Sequence, residues 1–238
     1  MNKFVFDVDG TLTPSRSRIN EDFRLWFTDF CVNNEVYLVT GSDYEKTREQ
    51  MTEYTLRWPI FVYGCSGSDV WAKGKCVRTS DWKAPHALYE LMEGWLQASK
   101  FVARTGQHIE HRPGMINFSI VGRGATMAER KLYVEYDRAN RERETIAHII
   151  NTNFEGITAT VGGETGIDIH PTGADKSQIL KDFDLSKDKI IFFGDRMEPG
   201  GNDYPLAKAN KTGKNYHVKD WQHTWEILKT YDEGKANG

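Results

Sequence analysis

Three short apolar blocks, each running into polar residues at its C-terminal end, constrain this chain more than anything else in its sequence. Lys3 to Val8 leads into Asp7 and Asp9, Glu35 to Val39 into Thr40-Gly41-Ser42-Asp43, and Asp188 to Phe193 into Gly194-Asp195. Blocks that are apolar at successive rather than alternate positions fit strands buried on both faces, as in a parallel α/β sheet. Between the first two, Ile19, Phe23, Trp26, Phe27 and Phe30 recur at helical spacing, with Asn20 placed to cap and Glu21 and Asp22 in the first turn. The pattern predicts a strand, helix, strand unit. In an open doubly wound sheet, ligands bind beyond the carboxyl ends of the strands, so Asp7, Asp9, Thr40 and Asp195 are expected to converge on one crevice.

The middle of the chain differs. Leu88, Leu91, Met92, Trp95 and Leu96 predict one helix, and Ile146, Ile149, Ile150 and Phe154 another. Gly114 to Val121 alternates, with Ile116, Phe118 and Ile120 opposing Asn117, Ser119 and Val121. That alternation predicts a strand with one packed face and one free face. Antiparallel strands with helices on one side form an α+β layer, so residues 81–172 are expected to be an inserted cap domain. Residues 1–80 and 173–238 then form the parallel core.

Composition excludes several classes of function. Lys+Arg 31 against Asp+Glu 34 gives a net charge of −3, leaving no positive excess to hold nucleic acid or an anionic membrane. The three cysteines, Cys31, Cys65 and Cys76, form no C-x-x-C pair and suit a reducing compartment. Asp7 and Asp9 interrupt the first apolar run too early for a signal peptide, and no stretch reaches the ~20 apolar residues of a membrane span. A soluble, cytoplasmic protein is expected.

Asp7-Val8-Asp9-Gly10-Thr11-Leu12-Thr13 carries residue types suited to phosphoryl transfer. One aspartate can serve as nucleophile and a second, two residues on, as general acid and base. Gly10 permits a sharp turn, which is expected to aim backbone N–H groups and the Thr11 hydroxyl at the ligand. Cys65, flanked by Gly64 and Ser66 with no histidine nearby in sequence, reads as a loop residue rather than a nucleophile. His108, His111, His170 and His217 have no metal-ligand spacing.

Asp7-Val8-Asp9-Gly10-Thr11 resembles the first motif of the haloacid dehalogenase superfamily, and Thr40, Lys176 and Gly194-Asp195 stand where its later motifs would. The resemblance implies a Rossmann-like parallel core. It makes Asp7 nucleophile and Mg²⁺ ligand, and Asp9 acid/base and, through its carbonyl, a further ligand. Thr40 and Lys176 would hold phosphoryl oxygens, and Asp195 would bind the metal. Mg²⁺ suits such a site because it takes hard oxygen ligands.

The resemblance narrows to eukaryotic-type phosphomannomutases. Asp195-Arg196-Met197-Glu198-Pro199-Gly200-Gly201-Asn202-Asp203 is similar to their extended fourth motif, implying Asn202 and Asp203 near the metal. Arg112-Pro113-Gly114-Met115-Ile116-Asn117-Phe118-Ser119-Ile120-Val121-Gly122-Arg123, then Glu129-Arg130, resembles their phosphate-binding cap segment. By that resemblance Arg16, Ser42, Arg112, Asn117, Arg123, Arg130 and Asp168 bind substrate. Departures occur at Thr40, where the family has glycine; at Gly166, where it has serine; and across Phe61 to Trp71, in place of a Pro-Glu-Asn-Gly stretch.

The activity implied is a phosphohexomutase joining hexose 6-phosphate and hexose 1-phosphate through an aspartyl-phosphate and a hexose bisphosphate, which would also act as activator. A homodimer through the cap domain is implied as well. A Mg²⁺-dependent sugar-phosphate phosphatase is the alternative, differing only in whether water reaches the phosphoaspartate. An idle sugar-phosphate binding protein would have no use for a nucleophile paired with an acid/base.

Overall fold

From the N-terminus, β1 (Asn2–Phe6) is followed by α1 (Glu21–Asn33), β2 (Val36–Val39), α2 (Tyr44–Met51) and β3 (Phe61–Gly64). A hairpin, β4 (Asp69–Ala72) and β5 (Lys75–Thr79), comes next. The middle segment carries α3 (His86–Ala98), β6 (Ile109–Arg112), β7 (Met115–Phe118), α4 (Met127–Asn140), α5 (Glu142–Asn153), β8 (Ile157–Gly162) and β9 (Gly166–Pro171). The chain closes with β10 (Lys189–Gly194), α6 (Tyr204–Ala209), β11 (Lys214–His217) and α7 (Trp221–Ala236). This is a computed structural model that describes residues 1–15 and 17–236; Arg16, expected to hold phosphate, lies outside the described residues.

The chain divides into two compact units, Met1–Thr79 with Ala174–Gly238, and Ser80–Gly173. The first is built on a seven-stranded sheet in the order β11-β10-β1-β2-β3-β4-β5. Its strands from β11 to β3 are parallel, whereas β4 and β5 pair antiparallel. Both faces are covered. Phe4, Phe6 and Leu38 pack with Phe23, Phe27 and Phe30 of α1, while Val5, Tyr37, Val39 and Phe192 pack with Ile179 and Leu206 on the other side. Burial on both faces is why the strands read as unbroken apolar runs. Asn20 caps α1, its side chain accepting from the Phe23 N–H at 3.1 Å.

β1 is central, with β2 on one side and β10 on the other. The strand order reverses at the β1/β10 boundary, where Phe6 is registered with Phe193 and the Asp7 N–H donates to the Phe193 carbonyl at 2.9 Å. A crevice at the carboxyl ends is expected at such a switch point, and the sequence puts Asp7 and Asp195 on its two sides.

The second unit has a four-stranded antiparallel sheet, β6-β7-β9-β8, with its own core. Ile116, Phe118, Ile167 and Ile169 pack against Leu88, Met92, Tyr133, Ile146 and Ile150 of the helices. The expected free face of the Gly114–Val121 strand is not free: all of β7 is buried, as are Asn117 and Ser119. On the polar face Asn117 is paired with Asp168 of β9 and with Arg123. α4 was not expected; only Tyr133 and Asp137 on it are buried, so it lacks an apolar stripe. Among the described residues no helix is long and apolar enough to cross a membrane.

Candidate active site

In the first unit the Asp7–Thr13 turn closes on itself. The Val8 carbonyl accepts from the N–H groups of Thr11, Leu12 and Thr13, and Gly10 N–H donates to Thr13. These donors are consumed within the loop rather than aimed outward, contrary to the sequence-based expectation, while the Thr11 hydroxyl is buried and makes no hydrogen bond. Glycine is required at position 10 for two reasons. Its φ is +82°, and a Cβ there would run into the Asp195 carboxylate.

Lys176 is fully buried (0% exposed), and its ammonium donates to Asp7 Oδ1 and to Asp203 Oδ1, the latter at 2.7 Å. Asp203 Oδ2 accepts from the Arg196 N–H at 3.1 Å, so both its oxygens are held. Asp7, Asp195 and Asp203 each offer a carboxylate oxygen within 4.8 Å of the others. Three carboxylates against one ammonium leave this group of four with an excess of negative charge. Burial pushes the Asp7 carboxyl above its ordinary range, against the pull of Lys176 and with the repulsion of Asp203 and Asp195. Asp195 is pushed up to about 6, by burial first and by Asp203 second. Burial acts to lower Lys176, but Asp203 and Asp7 beside it hold the ammonium above its usual value.

The remaining candidates of this unit are held in different ways. Thr40 is buried, its N–H donates to the Tyr63 carbonyl at 2.9 Å, and its hydroxyl accepts from the Ser42 N–H at 3.1 Å. Asp9 turns its Oδ1 to the Gln50 amide, which donates at 2.8 Å; its side chain is not among the three clustered carboxylates. Asn202 is exposed, beside the buried Asp203. Gln50 escaped the sequence analysis. The signal for it was a polar residue at a core position of α2, beside the buried Thr47 and Met51.

The second unit carries its own polar cluster, set by strand register. Glu110, Asn117 and Asp168 lie opposite one another on β6, β7 and β9. Asn117 donates to Asp168 at 2.7 Å and accepts from Arg123 at 3.4 Å. Glu110 holds both Arg112, at 3.0 Å, and Arg123, at 2.7 Å, while Arg130 pairs with Glu164 at 3.3 Å. Burial, joined by repulsion from Arg112 and Arg130, keeps the Arg123 guanidinium below its ordinary value despite Glu110. Glu110 is the second residue missed. Its place two residues before Arg112 in a strand was the available clue. At Gly166 a Cβ would lie 2.6 Å from the Asn117 amide nitrogen, so the carboxamide occupies the space a serine would enter. A cavity of about 390 Å³ lined by Trp82, Lys83, Tyr89, His111 and Met115 adjoins Arg112.

Comparison with known proteins finds relatives along most of the chain. Phosphomannomutase 1 of Dictyostelium discoideum is 30% identical over 233 residues, covering 94% of each chain. Phosphomannomutase 1 of Mus musculus is 31% identical over 220 residues, covering 87% of this chain and 84% of that one. The solved structure of N-terminally truncated, IMP-bound Plasmodium falciparum IMP-nucleotidase superposes with a TM-score of 0.63 at 17% identity, covering 96% of this chain and 67% of that one. At that identity the likeness is one of fold, and it accords with the parallel α/β core expected from the sequence. The family described as eukaryotic phosphomannomutase matches residues 27–232, from within α1 to within α7. With relatives near 30% identity across most of its length, the chain belongs to the eukaryotic phosphomannomutase family.

Proposed function

We propose that the protein is a phosphohexomutase that interconverts hexose 6-phosphate and hexose 1-phosphate, with Asp7 as the phosphorylated residue. The observation that carries this reading is the presence of two phosphate-suited clusters. One is a buried carboxylate paired with Lys176; the other is an arginine group organised by Glu110. A mutase must hold both ends of a hexose bisphosphate, whereas a phosphatase needs only one.

Asp7 attacks phosphorus, forming its O–P bond as the bond to the sugar oxygen breaks, and Asp9 gives a proton to that oxygen. In the second half the free hydroxyl of a bound hexose monophosphate attacks the phosphoaspartate, giving its proton to Asp9 as the aspartyl O–P bond breaks. The bisphosphate so formed turns round before Asp7 attacks its other phosphorus. Lys176 orients Asp7 through Oδ1 and, with Thr40 and Ser42, holds the phosphoryl oxygens. Gln50 keeps Asp9 in one rotamer. Arg112, Arg123 and Arg130, with Asn117 and Asp168, take the distal phosphate and sugar hydroxyls, which makes the inserted unit the substrate-holding cap.

The acidic cluster suits Mg²⁺. Asp7 Oδ2 is buried with no hydrogen-bond partner, and the donors at hand are hard oxygens carrying excess negative charge. Asp7 and Asp195, with the Asp9 carbonyl, would hold the ion, and Asp203 and Asn202 would flank it. When bound it offsets the repulsion between carboxylate and phosphate. Because the Asp195 carboxyl is raised to about 6, the cation-free native state binds a proton more readily than the unfolded chain. Its stability therefore falls as pH rises towards and through that value. Mg²⁺ should reverse this, raising the melting temperature more at about pH 7.5 than at about pH 5, with up to ~2.7 kcal/mol at a hundredfold excess over Kd. An equal shift at both pH values would remove Asp195 from the ligand set.

Arg123→Ala should weaken hexose bisphosphate binding by about 1.5–3 kcal/mol, the worth of a hydrogen bond to a charged group. Calorimetry giving an unchanged Kd would make Arg123 an ordinary surface residue. A hexose bisphosphate is the expected activator. We further propose a cytoplasmic homodimer through the inserted unit. The three cysteines, all thiols rather than disulfides, are in keeping with that compartment, and exposed Val102, Met127 and Leu132 on this unit supply apolar surface for a second copy.

The reaction is tested by ³¹P NMR with Mg²⁺, mannose 1-phosphate and a trace of glucose 1,6-bisphosphate. Growth of hexose 6-phosphate without free phosphate is expected. Free phosphate alone would make the protein a phosphatase.

A further inference from the structure

The turn after β3 is unusual in its backbone. Cys65, Ser66 and Gly67 all have positive φ, at +47°, +58° and +99°. Left-handed backbone costs a non-glycine residue roughly 1–2 kcal/mol, so the surroundings must hold Cys65 and Ser66 there. They do so on two sides. Towards β2, the Cys65 N–H donates to the Ser42 carbonyl at 2.9 Å and the Ser66 N–H to the Thr40 carbonyl at 2.8 Å. Towards the segment Lys176–Asp182, the Gln178 amide donates to the Ser66 carbonyl at 2.9 Å and reaches the Ser68 hydroxyl at 3.4 Å. Gly67 is packed so closely on that segment that a Cβ would lie 2.9 Å from Ile179 Cγ2. Ile179 is itself fully buried.

We infer that the Cys65–Gly67 turn, gripped by Gln178, is a positioning device that fixes Lys176 relative to Thr40 and Ser42, so that both sides close on one phosphoryl group. This rests on the assignment of Asp7 as the phosphorylated residue. Lys176 opens the segment whose third and fourth residues, Gln178 and Ile179, meet the turn. The same turn fixes the carbonyls of the other two phosphoryl-holding residues. Gln178 itself touches no reacting atom in this scheme, and neither does Ser66. Displacing one side of a phosphoryl clamp by a fraction of an ångström is felt in the transition state before it is felt in ground-state binding.

The test is rapid-quench measurement of phosphoenzyme formation from radiolabelled glucose 1,6-bisphosphate with Mg²⁺, on the full chain carrying Gln178→Leu. The expected result is a burst rate about tenfold or more below wild type, with burst amplitude and KM within about twofold. Ser66→Gly keeps the backbone carbonyl and relieves the left-handed strain, and should stay within about twofold of wild type throughout. An unchanged burst rate in Gln178→Leu overturns the inference. So does a lower amplitude at unchanged rate, which is the mark of a misfolded fraction rather than a misplaced lysine. If Gln178→Leu does not fold, Gln178→Glu, similar in size but lacking the donor, is read in the same way. Failure of the Asp7 assignment looks different: Asp7→Asn would then still give a burst, or wild-type protein would give none, and the inference would fall with it.

Discussion

Asp7→Asn is expected to leave a folded protein that no longer transfers phosphate, with turnover down by about 10⁴-fold or more. The amide is nearly isosteric with the carboxylate, and its oxygen can still accept from Lys176, which keeps Asp203 as a second partner. The substitution also removes one of the crowded, desolvated carboxylates whose burial raises the Asp7 pKa. Stability should therefore stay within about 2 kcal/mol of wild type. Turnover, acid-stable radiolabel from bisphosphate and urea unfolding together make the test. Label retained on the Asp7→Asn variant, or turnover within tenfold of wild type, would place the nucleophile elsewhere.

Lys176→Met should be damaging twice over. Methionine matches the length of the buried stem but leaves Asp7 and Asp203 facing each other without their ammonium. Breaking a buried ion pair in this way costs about 3–5 kcal/mol. Loss of the charge that meets the developing phosphoryl oxyanion should lower turnover by a further factor of about 10²–10³ in the molecules that remain folded. The two effects separate by pH. The orphaned carboxylates can take up protons, so the stability deficit should shrink between about pH 8 and about pH 5.5, while the catalytic deficit should not recover. A deficit in stability that is constant with pH would mean that the lysine stem, not its charge, is what the core needs.

Most of the catalytic unit could be read from the sequence because its strands are buried on both faces and end on acids. The run from Phe4 to Val8 announces its strand, and the spacing from Ile19 to Phe30 announces α1 and its Asn20 cap. What escaped did so for physical reasons. β5 is exposed along its whole length, so Lys75 to Thr79 carries no apolar signature. α4 buries little beyond Tyr133, and its start was marked only by the Thr126/Glu129 capping box. Alternation correctly placed Asn117 on the polar face of β7, but could not reveal that Asp168 and Arg123 close over it. Gln178 looks like ordinary helical surface until the tertiary fold brings Ser66 to it, and Gln50, a polar residue at a core position of α2, gives no sign in sequence that Asp9 meets it. Gly10 was legible as a turn former; that it also clears space for Asp195 depends on a strand far away in the chain.

The central position of β1 has a consequence for how the protein is made. Its partner β10 follows it by roughly 180 residues, which at the ribosome's pace is a delay of about 10–40 s. During that interval the central strand of the sheet has a vacant edge, and Asp7 has neither Lys176 nor Asp203 near it. The inserted segment, whose strand pairs all lie within Ser80–Gly173, reaches completion first. The nascent chain is therefore most exposed to mispairing at the future centre of its sheet, and a chaperone that shields the Phe4–Val8 edge would act where the need lasts longest.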